Sequence, residues 1–123
     1  MQAQERRAEA AQARRSETID LAQLERATFG DQALARDVLS LFSERAETLL
    51  ADIVDARDAR SRRDAAHSLK GAALGVGAVA VAEAAAELEA VAGDPHAFPG
   101  AIVHLATLVA VARLAIAGLL MRD

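Results

Sequence analysis

A chain of 123 residues suits a single domain, and the absence of cysteine excludes both a disulfide framework and a thiolate metal site. Its residues are 53% apolar but only 2% aromatic, with alanine and leucine dominant, which is the composition of a helical bundle rather than of a sheet protein. A net charge of −4 gives no general reason to expect nucleic acid, and arginines without an apolar h-region at the N-terminus are not a secretory signal, so a cytoplasmic location is expected.

Residues 1–17 consist largely of Ala, Gln, Glu and Arg without an apolar stripe, and the expectation is a mobile or loosely docked tail. Asp20 followed by Gln23 resembles a capping box and opens a short helix through Leu21, Leu24 and Ala27. Phe29-Gly30-Asp31 breaks that helix, and Asp31 caps a long second one. Its expected inward stripe is Leu34, Val38, Leu41, Phe42, Leu49, Leu50 and Ile53, running to about residue 56. No Gly or Pro marks the next turn. Asp58 and Ser61 are both candidate caps for a third helix that carries His67 and ends near Leu74-Gly75-Val76-Gly77. Gly77 can take the left-handed conformation that ends a helix. A fourth helix spans about Ala78 to Ala92, with Val81, Ala85 and Leu88 inward and Glu83 and Glu87 outward. Gly93-Asp94-Pro95 ends it, and a fifth runs from about Ala97 to Met121. The pattern predicts an all-α fold: an antiparallel up-down-up-down four-helix bundle over residues 18–123, with the short first helix as a lid.

Thirteen of the fourteen cationic side chains are arginine. The lone lysine, Lys70, stands three residues after His67 and directly before Gly71, and positions i, i+3 and i+4 share one face of a helix. A water-facing histidine in mid-helix can act as a nucleophile toward a phosphoryl group. A compact ammonium beside it offsets phosphoryl oxygen charge where a guanidinium fork fits less well. Glycine inside a helix costs roughly 1 kcal/mol relative to alanine, so Gly71 asks for a reason, and access of another protein to the ring is one. For an arbitrary His–Lys pair the ordinary reading is a solvated helix face. The glycine and the placement of the only lysine argue against it here.

The segment His67-Ser68-Leu69-Lys70-Gly71, with Gly77-Ala78 at the following turn, resembles histidine-containing phosphotransfer (HPt) domains. Ala66, Leu88-Glu89, and the Phe29-Gly30-Asp31 break before the Phe42 helix fit the same pattern, over about residues 18–120. The resemblance implies that His67 is the phosphoacceptor, Lys70 stabilises the phosphoryl oxygens, Gly71 admits the partner and Gly77 sets the turn. It implies a relay between aspartates of response-regulator receiver domains. Mg²⁺ would sit in the receiver, so no cofactor or metal is expected in this chain. Ala72, Ala73 and Gly75 stand where small polar residues often occur in the family. The segment also resembles the phosphoryl-accepting domain of chemotaxis-type kinases, in which a kinase core phosphorylates the histidine directly, but an aromatic residue usual there is Ala78 here. A non-catalytic helical interaction module, with His67 incidental, is the third reading.

Around the site, Arg63 lies one turn before His67 and is a candidate for steering an acidic receiver surface. Phe42 is a candidate for the docking surface, with core packing the competing role. Glu89 is by analogy a site contact and by default a surface carboxylate. His96 and His104 have no metal-ligand neighbours. The absence of a nucleotide-binding loop means that self-phosphorylation from ATP is not expected. Residues 101–121 are long and apolar enough to span a bilayer, but Arg113 near the middle would cost about 2.5–3.5 kcal/mol on insertion scales. A bundle helix is expected instead, with no membrane and no nucleic-acid partner. Its surplus apolar surface points to a homodimer through this helix.

Overall fold

The computed structural model describes residues 2–3 and 18–122; the expected tail at residues 1–17 otherwise lies outside them. Among the described residues from 18 onward, five α-helices follow one another: α1 (Leu21–Ala27), α2 (Gln32–Asp55), α3 (Ala59–Gly75), α4 (Val79–Val91) and α5 (Phe98–Leu120). No strand occurs among the described residues, so the fold is an all-α bundle.

Three aspartates start three helices. The Asp20 carboxylate accepts from the Gln23 backbone N–H at 3.1 Å, Asp31 from Leu34 at 3.0 Å and Asp58 from Ser61 at 2.7 Å. Each satisfies a backbone donor that has no partner within its helix. Asp58, not Ser61, is therefore the cap of α3. The capping box at Asp20 is only half formed. Gln23 does not return to the Asp20 N–H but donates from Nε2 to the Leu74 carbonyl, and the Asp20 N–H donates to the Gly77 carbonyl at 2.8 Å. These two bonds tie α1 onto the α3–α4 turn.

That turn is a Schellman motif. Ala78 N–H donates to Ala73 at 2.9 Å and Gly77 N–H to Leu74 at 3.3 Å, with Gly77 at φ 77°. Glycine is required there twice over: the left-handed backbone disfavours a side chain, and an added Cβ would lie 2.7 Å from the Asp20 carbonyl oxygen. At the α1–α2 break, Phe29 takes φ 55° with its side chain projecting into solvent.

α3 packs on α4 and α2, α5 packs on α4 and α2, and α1 rests on α2. The largest fully buried side chains are Ile53, Leu69, Leu88, Leu105, Ile116 and Val81, with Ala46, Ala66, Ala73, Ala85 and Ala112 buried between them. Burying each Leu or Ile stabilises the fold by about 1.5–3 kcal/mol, and the alanines let the helix axes approach closely. On α2 the inward stripe differs from expectation. It runs Ala35, Leu39, Phe42, Ala46, Leu49, Ile53, while Leu34 and Leu41 are 42% and 65% exposed. The true seam advances in steps of four and three residues, and Ala46 occupies the position where the apolar pattern looked interrupted.

Between α2 and α5, Arg36 donates to the Leu120 and Arg122 carbonyls, and Arg113 reaches Ser43 Oγ at 3.1 Å and Glu47 at 2.8 Å. α5 is long and apolar enough to cross a membrane by length and composition, yet its Leu105, Val109, Ala112 and Ile116 are buried in the bundle.

Candidate functional site

The outer face of α3 carries the candidate site. Ala66, Leu69 and Ala73 are buried, which turns His67, Gly71 and Leu74 outward. The His67 side chain is 70% exposed, and its Nδ1 lies 3.1 Å from Glu89 Oε1 on α4. An ionised carboxylate can only accept a hydrogen bond. In the neutral ring, Nδ1 therefore carries the hydrogen and Nε2 keeps its lone pair, away from Glu89. Glu89 fixes both the tautomer and the plane of the imidazole.

Lys70 is half-buried on the same side of α3, and among the described residues its ammonium joins no hydrogen bond or ion pair. A cation with no carboxylate partner at 4 Å is free to meet an anion brought to the neighbouring ring. Gly71 is exposed, and a Cβ added there would meet nothing within 4 Å. Nothing in the packing of this chain therefore requires glycine at that position. Relative to alanine it costs about 1 kcal/mol that no contact among the described residues offsets. Gly77 has the opposite character, being buried and required by the turn itself.

The remaining candidates are less central. Arg63 is exposed one turn before His67, and its Nη2 leans toward the α4–α5 turn at Gly93. Its neighbour Arg62 is engaged inward: its guanidinium stacks 4.4 Å over the Phe98 ring and donates to the Ala92 carbonyl at 3.4 Å. Phe42 is buried, so its ring belongs to the core, and it lies beneath an open groove of about 520 Å³ between α2 and α3. Val38, Leu41, Arg45, Ala72 and Gly75 form much of that groove. Among the described residues no three His, Asp or Glu side chains converge as a metal site would require.

A family model for the Hpt domain matches residues 37–116, about two thirds of the chain and the whole of the face just described. The chain belongs to the Hpt domain family. No curated protein and no solved structure matches it. Hpt domains carry out histidine-containing phosphotransfer in two-component signalling, where they interact with response regulators and kinases.

Two features of this Hpt domain were read only in part or misplaced from the sequence. Glu89 was a site contact by analogy and a surface carboxylate by default, because its position on α4 does not disclose which way α4 leans on α3. Leu41 was assigned to the core; its displacement from the seam through Leu39, Phe42 and Ala46 was the signal that it lies outside.

Proposed function

We propose that this Hpt domain is a phosphorelay carrier whose His67 takes a phosphoryl group from an aspartate of one receiver domain and returns it to an aspartate of another. The observation that carries the reading is the 70% exposed imidazole with Nδ1 held by Glu89 and Nε2 left open. Nε2 attacks phosphorus as the bond to the aspartyl oxygen breaks, so the donor leaves as a carboxylate and an N–P bond forms. The ring, still protonated at Nδ1, gains positive charge, which the Glu89 carboxylate offsets. Lys70 offsets the phosphoryl oxygens, and bare backbone at Gly71 lets the receiver come within reach. Mg²⁺ belongs to the receiver in this scheme, and the carrier needs no metal or nucleotide of its own.

The supporting architecture is an up-down-up-down antiparallel bundle of α2–α5 with α1 as its lid. Contacts that run in opposite senses support it: Arg36 with Arg122 and Ser43 with Arg113, or Arg62 with Ala92 and His67 with Glu89. The receiver would dock over Gly71 and Gly75 along the α2–α3 groove, where exposed Leu41 and Leu74 supply apolar contact and Phe42 forms the floor. Arg63, exposed one turn before His67 and outside that groove, would steer an acidic partner toward the ring. The setting proposed is the cytoplasm.

The test is transfer from a phosphorylated receiver, compared with phosphorylation by a separate chemotaxis-type kinase core. The relay reading expects rapid labelling from the receiver and complete loss of labelling in His67→Gln with helicity unchanged. Labelling by the kinase core alone would instead make this an acceptor domain of that kind. Full function in His67→Gln would leave only an interaction module.

A further inference from the structure

The exposed positions of α5 form a second unusual face. From Pro99 to Met121 none of them carries an acidic or basic residue other than His104, and Val103, Leu114 and Met121 are 66%, 74% and 84% exposed. Among the exposed residues, Gly100, His104, Thr107, Val111, Leu114, Gly118 and Met121 recur in alternating steps of four and three, flanked by exposed Val103, Ala110 and Ala117. That 3.5-residue spacing is the seam one helix presents to another lying nearly along it. It extends along a 23-residue helix, about 34 Å at the ordinary rise. Arg113 does not interrupt the seam, because it is turned to α2 and held by Ser43 and Glu47.

The sizes along the seam select the partner. If a second identical helix lies antiparallel about a two-fold axis beside Val111, Gly100 faces Met121, His104 faces Gly118 and Thr107 faces Leu114. Met121, His104 and Leu114 then each meet a smaller side chain, and Val111 meets its own copy. In a parallel pair, Met121 would face Met121 and the glycines would face one another, leaving bulges and gaps. An uncharged face also offers nothing to an ionic partner. We propose that α5 is a self-association surface that pairs two copies of this chain antiparallel through this seam, with His104 and Thr107 setting the register. The pairing is independent of the phosphotransfer reading. Both α3 and α5 pack chiefly on α4 and α2, so they lie diagonally across the bundle and the pair leaves both His67 faces open. One helix pair buries less than the roughly 1,600 Å² of a standard stable interface, so the dimer forms at micromolar rather than nanomolar concentration.

Sedimentation equilibrium of the full chain up to about 1 mM tests the pairing. The expected result is concentration-dependent conversion from 12.9 kDa to twice that mass, abolished by Leu114→Glu at unchanged helicity. Leu114 is exposed, so that variant keeps the monomer fold. Orientation is read from single cysteines in a chain that has none of its own. A mixture of Thr107→Cys and Leu114→Cys should form a disulfide heterodimer, while Thr107→Cys alone should not pair efficiently. A wild-type chain that stays at 12.9 kDa, a dimer that survives Leu114→Glu, or efficient self-pairing of Thr107→Cys would each overturn the proposal. Co-sedimentation of the chain with neutral phosphatidylcholine vesicles, lost in Leu114→Glu, would also overturn it, because the seam would then be lipid-facing.

Discussion

The outer faces of α3 and α5 both depart from an ordinary solvated helix surface, and they depart in opposite ways. On α3 an exposed imidazole, an ammonium with no carboxylate partner among the described residues and a glycine that the packing does not require sit among arginines, aspartate and serines. On α5 the exposed face carries no lysine, arginine, aspartate or glutamate before Arg122. In the proposed reading the first meets an anion on another protein only briefly, and its charges suit it to water when unoccupied. The second gains only by being covered. Exposure alone therefore says little; the side chains around an exposed residue decide whether the face suits chemistry or packing.

A negative charge placed on each face in turn should separate them most sharply. Gly71→Glu sets a carboxylate beside the incoming phosphoryl group and should reduce transfer at least about 100-fold, close to 3 kcal/mol of barrier, with assembly unchanged. Leu114→Glu should leave transfer unchanged. Equal effects on transfer would dissolve the distinction. Next in size, Lys70→Ala should slow transfer about tenfold, or 1.4 kcal/mol, with stability unchanged, and an unaltered single-turnover rate would remove Lys70 from the mechanism.

Gly71→Ala sharpens the contrast within α3, because it should do two things at once. Replacing a helical glycine whose Cβ would meet open space should raise stability by about 0.5–1 kcal/mol. The same methyl should slow transfer severalfold by obstructing the receiver. Thermal melts beside transfer assays would read both, and a stabilised variant with wild-type transfer would leave the glycine without a purpose. At Gly77 the same substitution should destabilise, since the site is strained and blocked by Asp20.

The smallest effect concerns the start of α3. The Ser61 backbone N–H, with the Ser61 hydroxyl and the charges of Arg60 and Arg62, holds the Asp58 carboxyl below its ordinary 3.8. A depressed carboxylate adds stability above the unfolded-state value, and that contribution fades as pH falls below 3.8 toward the folded-state value. Melting temperature should drop on acidification through this range, and part of the drop should be missing in Asp58→Ala.

Helix starts and stops were legible because capping is local: Asp20, Asp31 and Gly77 act within a few residues of themselves. That His67, Lys70 and Gly71 share one turn of a helix was legible for the same reason. What depended on how helices lean was not. The α2 seam was misread at Leu34 and Leu41 because Ala46, a small residue at a close contact, looked like a gap. Nothing local to Arg62 marks it as inward, yet stacking on Phe98, thirty-six positions along the chain, draws it there. Glu89 reaches His67 only because α4 returns alongside α3 after the Gly77 turn.

The most direct test is to mix the purified chain with a phosphorylated receiver domain and locate the acid-labile, alkali-stable phosphoryl group by mass spectrometry. It should sit on His67 at Nε2, with His96 and His104 unmodified. Label on either of those histidines, or none on His67, would contradict the assignment of this face as the carrier site.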